Sequence, residues 1–138
     1  EYLKARHLGP LERLDELALE IGLFVTHQES GQFESGAIDA ALEALRNTPP
    51  KQINGSPIVS AVDWLKKASP LTSNLMEFRS EGGVRIAIRP SGTEPKVKIY
   101  LEQFVAAPRG NLQDLRDGSS ELLKSLGAEA LSWFDGEV

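Results

Sequence analysis

The sequence predicts an α+β domain, a small antiparallel sheet with helices packed on one face. Three observations carry that expectation. Two runs alternate apolar and polar residues on either side of a short loop rich in Pro and Gly; apolar residues recur at helical spacing before and after them; and turn signals between neighbouring extended runs sit close enough to join them antiparallel. The chain has 138 residues, 41% of them hydrophobic and 25% charged, which is ordinary for a globular protein and enough for one domain with a core, or one domain and a stub.

Taken in order, Gly9-Pro10 is a break. After it Leu11, Leu14, Leu17 or Ala18, and Ile21 recur at helical spacing, with Glu12, Arg13, Asp15 and Glu16 on the other face. Gly22 is a stop signal, and Leu23 to His27 reads as a short extended segment followed by a polar stretch from Gln28 to Glu34. Ser35 is placed as the N-cap of a second helix carrying Ile38, Ala41, Leu42 and Leu45, which Asn47-Thr48-Pro49-Pro50 ends because Pro lacks the donor and restricts its predecessor. Asn54-Gly55 introduces a β-type run from Ile58 to Val62. Asn74 to Arg79 forms a further strand, with Leu75 and Glu77 opposite Met76 and Phe78, and Ser80-Glu81-Gly82-Gly83 turns it into the next. Val84, Ile86 and Ile88 give that strand an apolar face; Val97, Ile99 and Leu101 do the same for the strand from Lys96 to Val105. Leu112, Leu115, Leu122 and Leu126 line a final helix, softened at Gly118 by roughly 1 kcal/mol relative to Ala and expected to end at Gly127, with Trp133 and Phe134 docking beyond it.

The chemistry concentrates between the two alternating runs, in Arg89-Pro90-Ser91-Gly92-Thr93-Glu94-Pro95. The segment offers a guanidinium, two hydroxyls and backbone N–H groups at Ser91, Gly92, Thr93 and Glu94, which Gly92 is expected to let converge as an anion nest. Lys96 and Lys98 follow, so the stretch is basic in a chain of net charge −5. That overall acidity argues against general nucleic-acid binding, and no apolar run approaches membrane-spanning length. Cysteine is absent, so thiol chemistry and thiolate metal sites are excluded; His7 and His27 lack a second ligand at useful spacing. Asp114, Asp117 and Glu121 lie at helical spacing and read as a solvated helix face. Most loops of this composition are only turns, so residue chemistry alone leaves open both a turn and a phosphate or carboxylate site.

The string from Arg89 to Tyr100, Arg-Pro-Ser-Gly-Thr-Glu-Pro-Lys-Val-Lys-Ile-Tyr, closely resembles the phosphate-binding loop in the C-terminal domain of the α-D-phosphohexomutases, in particular the phosphoglucomutase/phosphomannomutase branch. Phosphoglucosamine mutases fit the Lys-Val-Lys-Ile-Tyr continuation less well. The resemblance covers roughly Gln28 to the C-terminus and is diffuse outside residues 74–102. It implies a fold like the TATA-box-binding protein for residues 31–138, with residues 1–30 as the end of a preceding domain or a linker helix and a boundary near 28–33. It also implies that Arg89, Ser91, Gly92, Thr93 and Lys98 hold the non-reacting phosphate of a hexose phosphate, in a cytoplasmic enzyme that interconverts 1- and 6-phosphates through a bisphosphate. The implied partners are the phosphosugar and other domains of the same chain. In the family the phosphoserine lies in a Ser-His-Asn-Pro type motif and magnesium in an Asp-Gly-Asp type loop; neither string occurs here, so Mg2+ is expected outside this piece and the piece alone is expected to be inactive. A start without Met, as if inside a helix, adds the expectation of a C-terminal fragment. The competing readings are a free-standing anion-binding regulatory or interaction module and a nucleic-acid binder, the latter disfavoured because only Tyr100 and Phe104 could stack.

Overall fold

A computed structural model describes residues 2–5 and 7–135. A short turn of helix α1 (Tyr2–Ala5) precedes α2 (Pro10–Ile21), β1 (Leu23–Gln32), α3 (Ser35–Asn47), β2 (Gln52–Ile53), β3 (Ser56–Asp63), a 3-10 turn at Trp64–Lys66, β4 (Met76–Ser80), β5 (Val84–Pro90), β6 (Lys96–Val105) and α4 (Leu112–Ser132). The strands form a six-stranded antiparallel sheet in the order β1-β6-β5-β4-β3-β2.

Alternation along each strand decides which face is covered. Val84, Ile86 and Ile88 of β5, Val97, Ile99 and Leu101 of β6, and Met76 and Phe78 of β4 all point to one side. There they meet Ile38, Leu42 and Leu45 of α3 and Leu123, Leu126 and Ala130 of α4 in one continuous core. Phe134, just beyond α4, is buried in the same core, and Trp133 packs edge-on against Phe78 at a centroid distance of 6.0 Å. The two helices therefore cover one face, as the α+β expectation requires.

Two elements run longer than their side-chain patterns suggest. β1 extends to Gln32 rather than stopping at His27, and it pairs with β6 along its whole length, from Leu23 opposite Val105 to Gln32 opposite Lys96. Residues 28–33, expected to hold a domain boundary, thus lie in or directly after a strand integral to this sheet. Backbone pairing holds the strand where its inward side chains, His27 and Glu29, are polar; His27 Nε2 and Glu29 Oε1 are bonded to each other at 2.6 Å. α4 likewise passes through both Gly118 and Gly127 to Ser132. Gly127 does not end it, because the absence of a Cβ lets the helix lie directly on the Glu29 side chain and Leu101.

Smaller differences follow local chemistry. Glu34, not Ser35, occupies the N-cap of α3. Asn54 and Gly55, both at positive φ (45° and 74°), make the tight turn that folds β2 onto β3. α2 keeps its N-terminal Pro and ends at Gly22 as its spacing predicts, but Leu11, Leu14 and Ile21 of its apolar stripe remain 76%, 55% and 64% exposed.

Candidate functional site

The face of the sheet that carries no helix is polar, and its residues follow from register. β5 presents Arg85, Ala87 and Arg89; β6 presents Lys96, Lys98, Tyr100, Glu102 and Phe104; β1 presents Phe24, Thr26, Gln28, Ser30 and Gln32. Arg89 is the register partner of Lys98, and Lys98 of Ser30, so guanidinium, ammonium and hydroxyl lie in one row across three strands. Lys96 shares the face with Lys98 because β6 is regular there, with Val97 buried between them.

The loop from Ser91 to Pro95 closes the β5–β6 hairpin at the edge of this row. Its base is fastened by backbone bonds: Ser91 N–H donates to Lys96 O at 2.7 Å and Lys96 N–H to Glu94 O at 2.8 Å. A third bond, from Phe33 N–H to Pro95 O at 3.1 Å, ties the loop to the end of β1. The expected run of free amides is therefore shorter than the sequence suggests. Ser91 N–H is already used, while those of Gly92, Thr93 and Glu94 have no backbone acceptor among the described residues. Gly92 is not at positive φ, and a Cβ placed there would meet nothing within 4 Å, so the turn itself does not demand glycine. Gly92, Thr93 and Glu94 are exposed and Ser91 is half-buried.

Many of the other cations are charge-paired. Arg79 and Arg85 are held by Glu77, Arg46 by Asp63, Arg116 by Asp15 and Lys124 by Glu121. Arg89, Lys96 and Lys98 have no carboxylate partner among the described residues, and Glu94 makes no ion pair there either. Three unpaired cations beside free amides form a place where an anion would be welcome.

Sequence reasoning missed the cluster next to this row. Glu77 is 6% exposed on the helix-free face, where Arg79 Nε reaches its Oε1 at 3.1 Å and Arg85 Nη2 its Oε2 at 2.8 Å. Burial by itself would push its carboxyl up, but the hydrogen bond and charge of Arg85, with those of Arg79, outweigh it and hold the group below the ordinary carboxylate range. Alternation along β4 and β5 puts Glu77, Arg79 and Arg85 on one face, but their meeting depends on the register that sets Arg79 opposite Arg85 and Glu77 opposite Ala87.

The remaining titratable candidates do not assemble. Asp114, Asp117 and Glu121 are exposed along α4, Asp117 accepting from Gln113 and Glu121 from Lys124. Among the described residues no three His, Cys, Asp or Glu side chains gather as a metal site.

Comparison with known proteins matches residues 35–115 to the family described as phosphoglucomutase/phosphomannomutase, C-terminal domain. The chain is 38% identical over 89 residues to a probable phosphomannomutase of Haemophilus influenzae, covering 64% of this chain and 18% of that protein. It is 30% identical over 88 residues to a phosphoglucomutase of Staphylococcus aureus, covering 55% of this chain and 16% of the relative. With a phosphoglucomutase of Staphylococcus saprophyticus it shares 29% identity over 106 residues, 65% of this chain and 19% of the relative. The chain thus spans less than a fifth of the length of these relatives.

Proposed function

The chain belongs to the phosphoglucomutase/phosphomannomutase family, as its C-terminal domain, and on that premise we propose that Arg89, Lys98 and the 91–94 loop grip the non-reacting phosphate of a hexose phosphate. The observation that carries this reading is the convergence of three unpaired cations, Arg89, Lys96 and Lys98, beside the free amides of Gly92, Thr93 and Glu94 in an otherwise acidic chain. A guanidinium matches a pair of phosphate oxygens, the hydroxyls of Ser91 and Thr93 rotate to donate, and backbone N–H groups add fixed, uncharged donors.

In the whole enzyme this grip would serve interconversion of hexose 1- and 6-phosphates in the cytoplasm. A site made of phosphate donors reads the group common to both orientations of a bisphosphate, so it can hold first one end and then the other while the opposite end reacts elsewhere. Among the described residues no carboxylate cluster faces the loop, so the donor set here does not suit a magnesium ion. The phosphosugar and the remaining domains of the same polypeptide are the partners this reading requires.

Titration of the chain with inorganic phosphate, followed by backbone amide shifts, tests it. Shifts should concentrate at Arg89 to Lys98, with a dissociation constant near millimolar, because each charge-assisted bond contributes about 1.5–3 kcal/mol against an association cost of roughly 4–15 kcal/mol. Micromolar affinity would favour a free-standing anion-binding module instead, and shifts located elsewhere would defeat the reading.

A further inference from the structure

The Asn54-Gly55 turn plays no part in the phosphate grip, and its asparagine differs chemically from the other three of the chain. Asn47, Asn74 and Asn111 precede Thr48, Leu75 and Leu112, whose side chains shield the next backbone nitrogen, whereas Asn54 precedes a glycine. The other side-chain amides are also engaged. Asn47 Nδ2 donates to Glu43, Asn74 Oδ1 accepts from Arg46, and Asn111 Oδ1 accepts the N–H of Asp114. The Asn54 amide is exposed without a hydrogen-bond partner among the described residues, and the neighbouring Gly55 N–H has no backbone acceptor there. The hairpin beneath this tip is short: β2 has only two residues, and Pro57 opposite Gln52 brings no N–H to the ladder. From outside the hairpin the tip is held by Glu129 of α4, whose two carboxylate oxygens accept the Asn54 N–H at 3.0 and 3.3 Å.

We propose that Asn54 is a site of spontaneous modification, hydrolytic deamidation through a cyclic imide, and that Glu129 is the clasp that holds it back. The Gly55 backbone nitrogen attacks Asn54 Cγ and gives up its proton. The new N–Cγ bond closes a five-membered ring as the Cγ–Nδ2 bond breaks and ammonia leaves with that proton. Water is the second reactant and opens either carbonyl of the ring, giving aspartate or isoaspartate. Bringing the nitrogen onto Cγ requires a rotation of the Asn54 backbone that the tight turn, with φ of 45° and 74°, blocks. Closure therefore proceeds from the opened tip, and its rate follows the open population. The product opposes reclosing. Either acid sets a second carboxylate beside Glu129, and isoaspartate lengthens the backbone by one carbon, which breaks the Ile53–Ser56 register next to the fully buried Ile53 side chain.

Incubation of the chain in mildly alkaline buffer tests both halves, with peptide mapping by mass spectrometry and an isoaspartate-specific methylation readout. Asn54 should convert while Asn47, Asn74 and Asn111 remain amides, with isoaspartate among the products and more slowly than in a free peptide spanning Lys51 to Ile58. Glu129→Ala should speed conversion at Asn54 about three- to tenfold, the effect of losing one hydrogen bond, and leave the other three asparagines unchanged. Asn54→Gly keeps the positive φ without a side-chain amide and should abolish isoaspartate at the turn. Conversion spread evenly over the four asparagines, or aspartate formed without isoaspartate, overturns the site. Equal rates at Asn54 in wild type and Glu129→Ala, a wild-type rate equal to that of the free peptide, or acceleration of all four asparagines together overturns the clasp.

Discussion

Glu77 keeps its charge on a nearly buried position because two guanidinium groups reach it, and that arrangement makes stability depend on pH in one direction. Its folded-state pKa lies below its unfolded value, so its contribution is fully present above the ordinary glutamate value of 4.5 and is lost as pH falls through the folded value. Glu77→Gln should therefore cost about 1.5–3 kcal/mol at pH 7, the range for hydrogen bonds to charged groups. In urea melts at a series of pH values, the gap between variant and wild type should close as pH drops below 4.5; a gap independent of pH would show that shape alone supports the site. Arg89 presents the opposite case, an exposed cation with no carboxylate to hold it among the described residues. Arg89→Ala should change the unfolding free energy by no more than about 0.5 kcal/mol, as for most surface substitutions. It should weaken inorganic phosphate about ten- to a hundredfold, with Arg89→Lys recovering part of the loss because a point charge lacks the bidentate fork. Unchanged phosphate affinity in the alanine variant would remove Arg89 from the grip.

At the scale of elements, the two glycines of α4 separate intrinsic propensity from packing. Gly118 is exposed and a Cβ there meets nothing within 4 Å, so Gly118→Ala should stabilise the chain by about 1 kcal/mol. At Gly127 the same methyl would lie 2.4 Å from Glu29 Cγ, and moving Glu29 disturbs its bond to His27. Gly127→Ala should therefore lose the propensity gain and cost a net 1–2 kcal/mol, within the roughly 1–3 kcal/mol typical of overpacking; equal stabilisation by both substitutions in thermal melts would contradict the packing account. The same contrast explains what the sequence could reveal. The β4–β5–β6 hairpins were legible because their apolar residues alternate against an apolar core and their turns carry Gly and Pro. The second half of β1 was not, because its inward residues His27 and Glu29 are polar and only backbone pairing with β6 makes it a strand. Within the site, the basic loop announced itself through local composition. The engagement of Ser91 N–H with Lys96 O and the Glu77 cluster depend on register between strands, which no local pattern encodes.

Over the whole molecule, charge is divided between the two sides of the sheet. The helix-free face carries Arg79, Arg85, Arg89, Lys96 and Lys98 against Glu77 and Glu102, although the chain as a whole is −5, so the acidic excess lies elsewhere. Such a face concentrates an anionic ligand near the loop and predicts binding that weakens with added salt. Binding is a separate matter from turnover. Phosphoryl transfer between two hydroxyls of a sugar by way of the protein needs a side chain that gives a phosphoryl group to one hydroxyl and takes one back from the other, and a group that stabilises the charge developing on the transferred oxygens. On the reading proposed above, the loop provides donors of the second kind only at the non-reacting phosphate. Ser91 is the hydroxyl nearest to suspicion, yet it makes no hydrogen bond to a carboxylate or imidazole base among the described residues, so nothing there would take its proton. Among the described residues no carboxylate set gathers to hold a metal beside it. The chain by itself should therefore bind hexose phosphates without converting them. Incubation with glucose 1-phosphate, magnesium and a glucose bisphosphate activator, with glucose 6-phosphate read by a coupled dehydrogenase, should give the rate of a protein-free blank at every chain concentration. A rate that rises in proportion to the chain and disappears in Arg89→Ala would assign chemistry, and not only grip, to this domain.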